Sequence, residues 1–308
     1  MDITVICPLY KAEKYMDSLH SSLMMQKNVN LKEVKYILTN TDDRIDEKIS
    51  KFEKVDLKVI TAKEFSHSLT RESAAWECET EVVVFITQDI KIVDEDWLYN
   101  FTKPIFEGKC EAAFSRQICD NNSIERYTRI NNYPEESRVV SKKDIDRLGI
   151  TTFFFSDAAS AVNTKIYKEL KGYDNKDLLT NEDMYFAYKL IKNGYRIMYN
   201  AKAKVIHSHD YKFKDLFKRY FDQGVFLKDN DYLLKYNANG SAVKLLITVV
   251  KKSIKERNFK ATLNVIPNFA ARFLGNKMGQ NYKKLSLSTI KKLSAGRFYW
   301  ERNFKNYI

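Results

Sequence analysis

Residues 82–90 read VVVFITQDI: five apolar residues are followed by Thr, Gln and Asp, and then by Ile. A short apolar run rich in β-branched residues predicts a buried strand that ends at this polar group. The polar end either runs into solvent or points a carboxylate at a ligand. Since a carboxylate can hold a hard divalent cation that neutralises a diphosphate, Asp89 is a candidate for a residue that faces a metal ion or a phosphate.

Comparable apolar runs occur throughout the first 120 residues, and helical patterns separate them. The predicted strands are 3–10, 34–40, 57–62, 82–90 and 110–118, and a further buried strand pattern covers 153–162. Short strands alternating with helices predict an α/β fold with a mainly parallel, Rossmann-like sheet flanked by helices. Ligands bind at the carboxyl ends of strands in such sheets, so Pro8–Tyr10, Thr39–Asp43 and Gln88–Asp89 are expected to share one edge. The polar segment 120–150 is either functional or a cover for the sheet.

Composition limits the classes to which the chain can belong. It has 308 residues, of which 44% are apolar and 30% charged, and this length allows one large domain or two smaller ones. The N-terminus lacks a basic n-region, so no secretory peptide is expected, and runs such as LLITVV are far shorter than the ~20 residues of a membrane-spanning helix. Four cysteines without CxxC spacing suggest neither a zinc site nor a disulfide framework, which fits a reducing cytoplasm. The sequence also lacks the glycine-rich dinucleotide and P-loop motifs.

The net charge of +12 is unevenly distributed. Positions 1–210 contain 31 Lys and Arg against 34 Asp and Glu, whereas positions 211–308 contain 21 against 6. Nucleic acid and anionic membrane surfaces are the usual partners of such a basic block, and a solvated helical surface is the plain alternative. No recognised nucleic-acid-binding motif is present, so no nucleic-acid partner is expected.

Two acidic residues begin the helix predicted over 181–194, NEDMYFAYKLIKNG. Asn181 is predicted to cap this helix and Gly194 to end it. Glu182 and Asp183 in its first turn have two readings. They either interact with the helix dipole, or one of them is a general base that takes a proton from an acceptor hydroxyl.

Three other side chains are candidates for contacts with a metal ion or a phosphate. His207 and His209 are spaced i, i+2 on a predicted strand, which places both rings on one face. Arg71 follows Thr70, the predicted cap of a helix over 70–78. An Arg at a helix N-terminus adds donors to the free backbone N–H groups and forms a seat for phosphate, unless it is an ordinary surface residue.

Taken in order, these segments resemble the family 2 glycosyltransferases with the GT-A fold, and among them the bacterial rhamnosyltransferases. EFSHSLTRESA stands where that group has Phe-Asn-His-Gly-x-Thr-Arg-Asn, FITQDI where it has Thr-Gln-Asp-Ala, and AAFSRQI where it has Tyr-Gly-Arg-Gln. FFFSDAASAV corresponds to Ser-Asn-Ala, NEDMYFAYKLIKNGYRIMY to the Glu-Asp helix, and VIHSHDYKF to the His-x-His segment. PLYKAEKYMDSL and the C-terminal ARFLGNKMGQNYKK extend the resemblance over nearly the whole chain.

The resemblance implies inverting transfer of a sugar, L-rhamnose from dTDP-β-L-rhamnose, to a hydroxyl group of a growing glycan. Asp89 would hold Mg²⁺ or Mn²⁺ against the diphosphate, His209 would touch the metal or the diphosphate, and Asp183 would act as general base. Asp157 and Glu182 would lie on the acceptor side. The nucleotide and donor side would be lined by Pro8, Tyr10, Thr39, Asn40, Asp42, Arg71, Gln88, Arg116 and Gln117.

This sequence departs from the family pattern at several positions. LTNTDD stands where the family has Asp-x-x-Ser-x-Asp, whose first Asp contacts the base, so base recognition is expected to differ in part. Ser66 replaces an Asn, and Asp157 replaces the Asn of Ser-Asn-Ala, which points to a different sugar or acceptor. Gln88 and Asp89 in place of Asp-x-Asp leave one strand carboxylate for the metal.

We therefore predict a GT-A transferase domain over 1–210 and a helical, basic C-terminal region over 211–308. The leading hypothesis is a metal-dependent rhamnosyltransferase of the cytoplasm, peripheral on the inner face of the plasma membrane, with a lipid-linked cell-envelope glycan as acceptor. The basic region would contact anionic lipid with its Phe, Tyr and Trp at the headgroups, or pack on the catalytic domain or on a second subunit in a homodimer. The alternatives are a non-catalytic nucleotide-sugar or glycan-binding protein on the same fold, and a transferase for another nucleotide sugar such as a UDP-hexose.

Overall fold

The computed structural model describes residues 1–40, 44–130, 132–236 and 241–303, and its central element is one sheet. In these ranges the sheet has nine strands: β1 (Asp2–Leu9), β2 (Asn30–Thr39), β3 (Val55–Ile60), β4 (Val82–Ile86), β5 (Lys91–Ile92), β6 (Ala112–Ile118), β7 (Arg138–Val140), β8 (Ala159–Asn163) and β9 (Ile197–Ile206). They pair in the order β3-β2-β1-β4-β8-β6-β9-β5, and β7 also pairs with β9.

Six strands of this sheet run in one direction and three run against them. β1 pairs in parallel with β2 and β4, and β2 pairs in parallel with β3. β8 is antiparallel to both β4 and β6, so β6 points the same way as β4, and β9 is parallel to β6. The predicted mainly parallel α/β sheet is therefore confirmed, with β5, β7 and β8 as reversed strands. The carboxyl ends of β1, β4, β6 and β9 consequently open at one edge.

The helices of the described residues flank the sheet or follow it in the chain. They are α1 (Glu13–Met24), α2 (Ile45–Ile49), α3 (His67–Trp76), α4 (Trp97–Phe106), α5 (Glu125–Arg129), α6 (Ile145–Leu148), α7 (Thr164–Glu169), α8 (Glu182–Lys192), α9 (Phe213–Asp229), α10 (Ser241–Lys255), α11 (Phe259–Leu263), α12 (Val265–Gln280), α13 (Leu287–Leu293) and α14 (Arg297–Asn303). Short 3₁₀ segments lie at Lys142–Asp144, Gly149–Phe153, Asp231–Lys235 and Tyr282–Lys284. The polar segment 120–150 thus contains α5, β7 and α6.

Apolar side chains are buried on both faces of the sheet, as expected for strands covered by helices on each side. On one face Val84 of β4 lies in a cluster with Met16 of α1 and Leu98 of α4. On the other face Phe85 of β4 lies in a second cluster with Ala75 of α3. Because successive strand residues point to opposite faces, the run VVVFI contributes to both cores.

The strand predicted over 153–162 is shorter than expected, because β8 begins only at Ala159. The aromatic rings that precede it are buried without being part of the sheet. Phe155 packs edge-on against Phe114 of β6, with ring centroids 5.7 Å apart. The backbone N–H of Thr87 donates to this irregular segment at 3.2 Å, which places the segment beside the end of β4.

The helix predicted from Thr70 begins nearly one turn earlier than expected. α3 starts at His67, and the Ser66 hydroxyl caps it by accepting a backbone N–H of the first turn at 3.2 Å. Thr70 is therefore wrong as the N-cap, and its hydroxyl instead accepts the N–H of Ser66 at 3.1 Å. Arg71 consequently lies inside the helix and not at its N-terminus, so the predicted phosphate seat at the helix end is wrong for this residue.

The described part of the basic region 211–308 packs on the rest of the chain through its inner helix faces. Phe226 of α9 belongs to the same buried cluster as Phe85 of β4, and Trp300 of α14 is buried in a cluster with Leu179. α9 and α12 approach so closely that a Cβ atom on Gly279 would lie 2.0 Å from a backbone oxygen of α9. None of the helices in the described ranges has the length and hydropathy of a bilayer-spanning segment.

Candidate active site

The polar ends of β1 and β4 are joined by one side chain. Gln88 donates through Nε2 to the carbonyl oxygen of Tyr10 at 2.7 Å, and its Oε1 accepts the N–H of Tyr10, also at 2.7 Å. The predicted meeting of Pro8–Tyr10 with Gln88–Asp89 at one edge is therefore confirmed. Since an amide offers both a donor and an acceptor and both are used here, Gln88 holds the two strand ends together. This geometry favours a structural role over the predicted donor contact.

Asp89 meets two histidines that follow β9. Asp89 Oδ1 lies 3.4 Å from His207 Nε2, and Asp89 Oδ2 lies 3.8 Å from His209 Nε2. The two Nε2 atoms are 2.8 Å apart, and all three ligand atoms lie within 4.8 Å of one another. We call these three residues the Asp–His cluster. The two histidines lie just beyond the strand and not on it, and His207, which the predicted metal pair of Asp89 and His209 omits, is the more deeply buried of the two.

Gln117 fixes the position of the proton on His207. Gln117 Oε1 accepts Nη1–H of Arg129 at 2.7 Å and lies 2.9 Å from His207 Nδ1, while Gln117 Nε2 donates to Ser156 at 2.8 Å. Because Arg can only donate, this oxygen is an acceptor, and His207 Nδ1 therefore carries the hydrogen. The lone pair of a neutral His207 then lies on Nε2 and is directed at the cluster. Gln117, predicted to lie close to the donor sugar, thus orients a histidine.

Helix α5, in the segment 120–150, supports the cluster from outside. Glu125 Oε2 accepts the backbone N–H of His209 at 2.7 Å, and Glu125 Oε1 accepts two N–H groups of Arg129 at 2.7 and 3.0 Å. The same Arg129 donates to Gln117, so one salt-bridged pair supports both histidines. Sequence reasoning missed Glu125 and Arg129, since their i, i+4 spacing indicates a helical ion pair and not a site. The segment both covers the sheet and supports the Asp–His cluster.

Burial and charge act in opposite directions on the carboxylate of the cluster. Burial alone would raise the pKa of Asp89, but the neighbouring His207 and His209 hold that pKa well below its usual range. Burial lowers the pKa of His209 to about 4, and the neighbouring His207 adds to that shift. An ionised carboxylate beside a neutral imidazole is the protonation state that binds a metal ion.

The donor atoms of the Asp–His cluster fit a divalent cation. Ligand atoms in adjacent positions on an octahedral ion with bonds of about 2.1 Å lie about 3 Å apart. The two Nε2 atoms are 2.8 Å apart, and His207 and His209 lie 3.4 and 3.8 Å from Oδ1 and Oδ2 of Asp89 respectively. One carboxylate and two imidazoles leave further positions open for phosphate oxygens. Imidazole is a ligand of transition metals more than of Mg²⁺.

Asp183 lies in the first turn of α8, next to the segment before β8. Its Oδ1 accepts the N–H of Met184 at 2.7 Å, and its Oδ2 accepts the N–H of Asp157 at 3.4 Å. Burial raises the pKa of Asp183 well above its usual range, and the Glu182 and Asp157 carboxylates add to the shift. A raised pKa suits a carboxylate that exchanges protons near neutral pH.

Asn181 precedes helix α8 as predicted, but its backbone is in a left-handed conformation and its side chain makes no capping hydrogen bond.

The two carboxylates predicted on the acceptor side are bonded inside the protein. Asp157 accepts the hydroxyl groups of Ser160 and Tyr173, each at 2.6 Å. Glu182 accepts Nη1–H of Arg71 at 3.1 Å, and both side chains of this salt bridge are buried. In this structure, therefore, both carboxylates are engaged by side chains of the protein, and Arg71 is paired with Glu182. Together they fix the segment before β8 and the start of α8, and thereby position the candidate base.

The remaining donor-side predictions that fall on described residues lie at or near the ends of β1, β2 and β6, and they are Pro8, Tyr10, Thr39, Asn40 and Arg116. Tyr10 and Asn40 are exposed and within reach of a ligand. The buried Thr39 hydroxyl has no hydrogen-bond partner among the described residues. The Arg116 guanidinium lies 3.4 Å from a carboxylate oxygen of Glu135. Asp42 lies outside the described residues.

Two relatives match the chain over almost its whole length. The O-antigen chain rhamnosyltransferase RfbN of Salmonella typhimurium is 31% identical over 307 residues, which covers 97% of this chain and 96% of the relative. The chain belongs to the bacterial rhamnosyltransferase branch of the family 2 glycosyltransferases. The second relative of this branch, the O-antigen chain rhamnosyltransferase WbaN of Salmonella anatum, is 31% identical over 304 residues, covering 96% of this chain and 95% of the relative. No protein-family model matches the chain.

Solved structures confirm the GT-A type fold of this glycosyltransferase. Residues 1–349 of S. aureus TarS in complex with UDP-GlcNAc align with a TM-score of 0.52 at 17% identity, covering 92% of both chains. The mannosyltransferase PcManGT from Pyrobaculum calidifontis, in complex with GDP-Man and Mn²⁺, aligns with a TM-score of 0.54 at 13% identity, covering 99% of this chain and 84% of that one. With the two rhamnosyltransferase relatives, the fold identifies an enzyme, a glycosyltransferase of polysaccharide biosynthesis.

Proposed function

We propose that this glycosyltransferase transfers L-rhamnose, with inversion, from dTDP-β-L-rhamnose to a hydroxyl group of a lipid-linked cell-envelope polysaccharide precursor. The rhamnose assignment is supported by end-to-end similarity to two O-antigen rhamnosyltransferases. The observation that carries the metal-dependent mechanism is the Asp–His cluster at the carboxyl edge of the sheet. In GT-A type sheets this edge is the expected place for a nucleotide.

In the proposed site, Asp89, His207 and His209 would hold Mn²⁺ or Mg²⁺ together with the donor diphosphate. A bound cation neutralises the diphosphate and makes the nucleotide a better leaving group. Gln117 keeps the lone pair of His207 on Nε2, and Gln88 ties the strand end that carries Asp89 to the end of β1. Both supports are made by neutral amides, so they orient the ligands without adding charge to the site.

Asp183 is the proposed general base. Its carboxylate takes the proton of the acceptor hydroxyl as that oxygen forms a bond to the anomeric carbon of rhamnose. The nucleoside diphosphate leaves from the opposite face with the electron pair of the broken bond, which inverts the configuration. The buried Arg71–Glu182 pair and the N–H of Asp157 hold this carboxylate in place. The raised pKa of Asp183 makes it a stronger base than an exposed aspartate.

The proposed location is the inner face of the plasma membrane, where a lipid anchor would hold the acceptor. The basic excess of 211–308, with 21 Lys and Arg against 6 Asp and Glu, supports attraction to anionic lipid. The division into a transferase domain over 1–210 and this basic region is part of the same proposal. Trp300 and Tyr282 are buried among the C-terminal helices, so the predicted aromatic contact with headgroups does not extend to these two residues.

The test is nucleotide release by the full chain from a panel of dTDP-, UDP- and GDP-sugars, with Mn²⁺, with Mg²⁺ and after chelation. We expect release from dTDP-β-L-rhamnose, faster with Mn²⁺ than with Mg²⁺, and lost after chelation. Release from a UDP-hexose alone would overturn the sugar assignment. Release that is unchanged by chelation would overturn the role of the Asp–His cluster as a metal site.

A further inference from the structure

The outer side of α10 exposes apolar side chains in a row. Val243, Ile247 and Ile254 are exposed and spaced i, i+4 and i+11, so they form one stripe along the helix. Val249, on another side of the same helix, is fully buried. The stripe is therefore a second apolar face, in addition to the face with which α10 packs on the protein.

The exposed apolar surface continues on the next two helices. Phe259 and Leu263 of α11 are 68% and 80% exposed, and Ile266 and Phe273 of α12 are 79% and 68% exposed. Ile266 and Phe273 are spaced i, i+7 and share one face of α12, whereas Gly279 lies against α9. We call these exposed side chains of α10, α11 and α12 the outer patch: Val243, Ile247, Ile254, Phe259, Leu263, Ile266, Phe273 and Leu274. α10, α11 and α12 contact one another, so these exposed residues lie on neighbouring helices, unlike the single apolar residues scattered over ordinary protein surfaces.

Basic side chains border the outer patch. Lys244, Lys251 and Lys255 are exposed on the side of α10 next to the apolar stripe, and Lys260 and Lys277 are exposed on α11 and α12. Positions 241–280 contain eight Lys or Arg and one Glu. A Lys stem can lie along an apolar face and place its ammonium group at the polar boundary. An apolar stripe with flanking lysines is typical of a helix that lies in the plane of an anionic membrane surface.

The inner faces of the same helices are packed against a support of the active site. Val249 of α10 and Val265 of α12 are buried in one cluster with Tyr127 of α5. Helix α5 also carries Glu125, which accepts the backbone N–H of His209. Helix α5 therefore packs against α10 and α12, which carry much of the outer patch, and also supports the Asp–His cluster.

We infer that the outer patch inserts into the headgroup region of an anionic phospholipid bilayer, with the flanking lysines near the lipid phosphates. This inference rests on the proposed function, since a lipid-linked acceptor is met at a membrane surface. Charge decides between the candidate occupants. A second copy of this chain would bring an equally basic surface against the patch, whereas anionic lipid complements it. Helix α5 then connects the membrane-bound helices α10, α11 and α12 to the candidate metal site.

The test is sedimentation of the full chain with vesicles of phosphatidylcholine alone and with vesicles that contain about one quarter phosphatidylglycerol. We expect binding to the anionic vesicles, weakened but not abolished by salt, because apolar insertion is not screened. The triple variant L263S/I266S/F273S is expected to lower the partition coefficient at least about tenfold. K251Q/K255Q is expected to lower it about fivefold per lysine.

A matched control removes apolar side chains outside the patch. V59S/V93S replaces two exposed valines and is expected to bind vesicles like the wild type. Equal binding of the triple variant and the wild type, or equal binding to both kinds of vesicle, would overturn the inference. A wild-type dimer in light scattering that the triple variant converts to a monomer, without vesicle binding, would assign the patch to a second copy of the chain. Vesicle binding without turnover of any nucleotide sugar would count against the proposed function alone.

Discussion

Gln117→Leu tests the Asp–His cluster through a residue that is not itself a ligand. Gln117 Oε1 lies 2.9 Å from His207 Nδ1 and 2.7 Å from Arg129 Nη1, and Leu has a similar volume but no acceptor. Without this acceptor, His207 is free to rotate and to carry its hydrogen on Nε2, the atom that faces the cluster. Loss of such an outer partner of a metal-binding histidine typically costs 10- to 100-fold in metal affinity, or about 1.4–2.7 kcal/mol.

The assay is calorimetric titration of the full chain with Mn²⁺, followed by nucleotide release as a function of Mn²⁺ concentration. Gln117→Glu retains an acceptor for both His207 and Arg129 and is expected to stay within a few-fold of wild type. Ser156→Ala removes the partner of Gln117 Nε2, together with a hydrogen bond to Tyr133, and serves as the matched control for the same side chain. Wild-type Mn²⁺ affinity in Gln117→Leu would refute the assigned role of Gln117. Equal losses in all three variants would indicate a general disturbance of the fold instead.

Three further predictions concern Asp183 in the candidate site and Gly279 in the C-terminal helix α12. Asp183→Asn is expected to abolish transfer while Mn²⁺ and donor affinity persist. Because ionising a carboxylate with a raised pKa costs stability as pH rises through that pKa, this variant should also melt at a higher temperature than wild type at neutral pH. The wild-type turnover rate at saturating donor should rise with pH as Asp183 loses its proton, with a midpoint above the ordinary aspartate range. Gly279→Ala would place a Cβ atom 2.0 Å from the backbone oxygen of Phe221, and this overpacking, about 1–3 kcal/mol, should outweigh a helix-propensity gain of about 1 kcal/mol. The melting temperature should fall by a few degrees, while Lys277→Ala on the same helix leaves it unchanged.

The sequence predicts the ends of strands β1 and β4 better than any other part of the site. Apolar runs identify β1 and β4, and parallel pairing brings their carboxyl ends to one edge whatever the intervening loops do. Asp89 and Tyr10 therefore lie where the sequence predicts. Arg71 does not, because Ser66 and not the predicted Thr70 caps the helix. The choice depends on contacts more than 100 residues away, since Ser68 bonds the backbone of Lys176 and Leu178.

The support of the histidines is a second feature that local sequence does not encode. Gln117 and His207 are 90 residues apart in the chain and meet only because β6 and β9 are neighbours in the sheet. The family resemblance predicts that Gln117 lies near the donor sugar. Gln117 indeed lies near the carboxyl edge of the sheet, at the end of β6. The side-chain role, however, depends on which atom of Gln117 faces Arg129, and no spacing rule contains that information.

Helix α10 shows why the sequence predicts a basic surface in the last third of the chain but not an apolar one. In the run LLITVV every residue but Thr is apolar, and such a run is ordinarily assigned to one buried face. The structure divides this wide apolar arc between two sides of the helix. Leu246 and Val249 face the cluster on α5, whereas Ile247 and Ile254 face outward between lysines. A helix that packs on one side needs only one apolar face. The second apolar face of α10, with its basic border, matches the proposed contact with an anionic membrane surface.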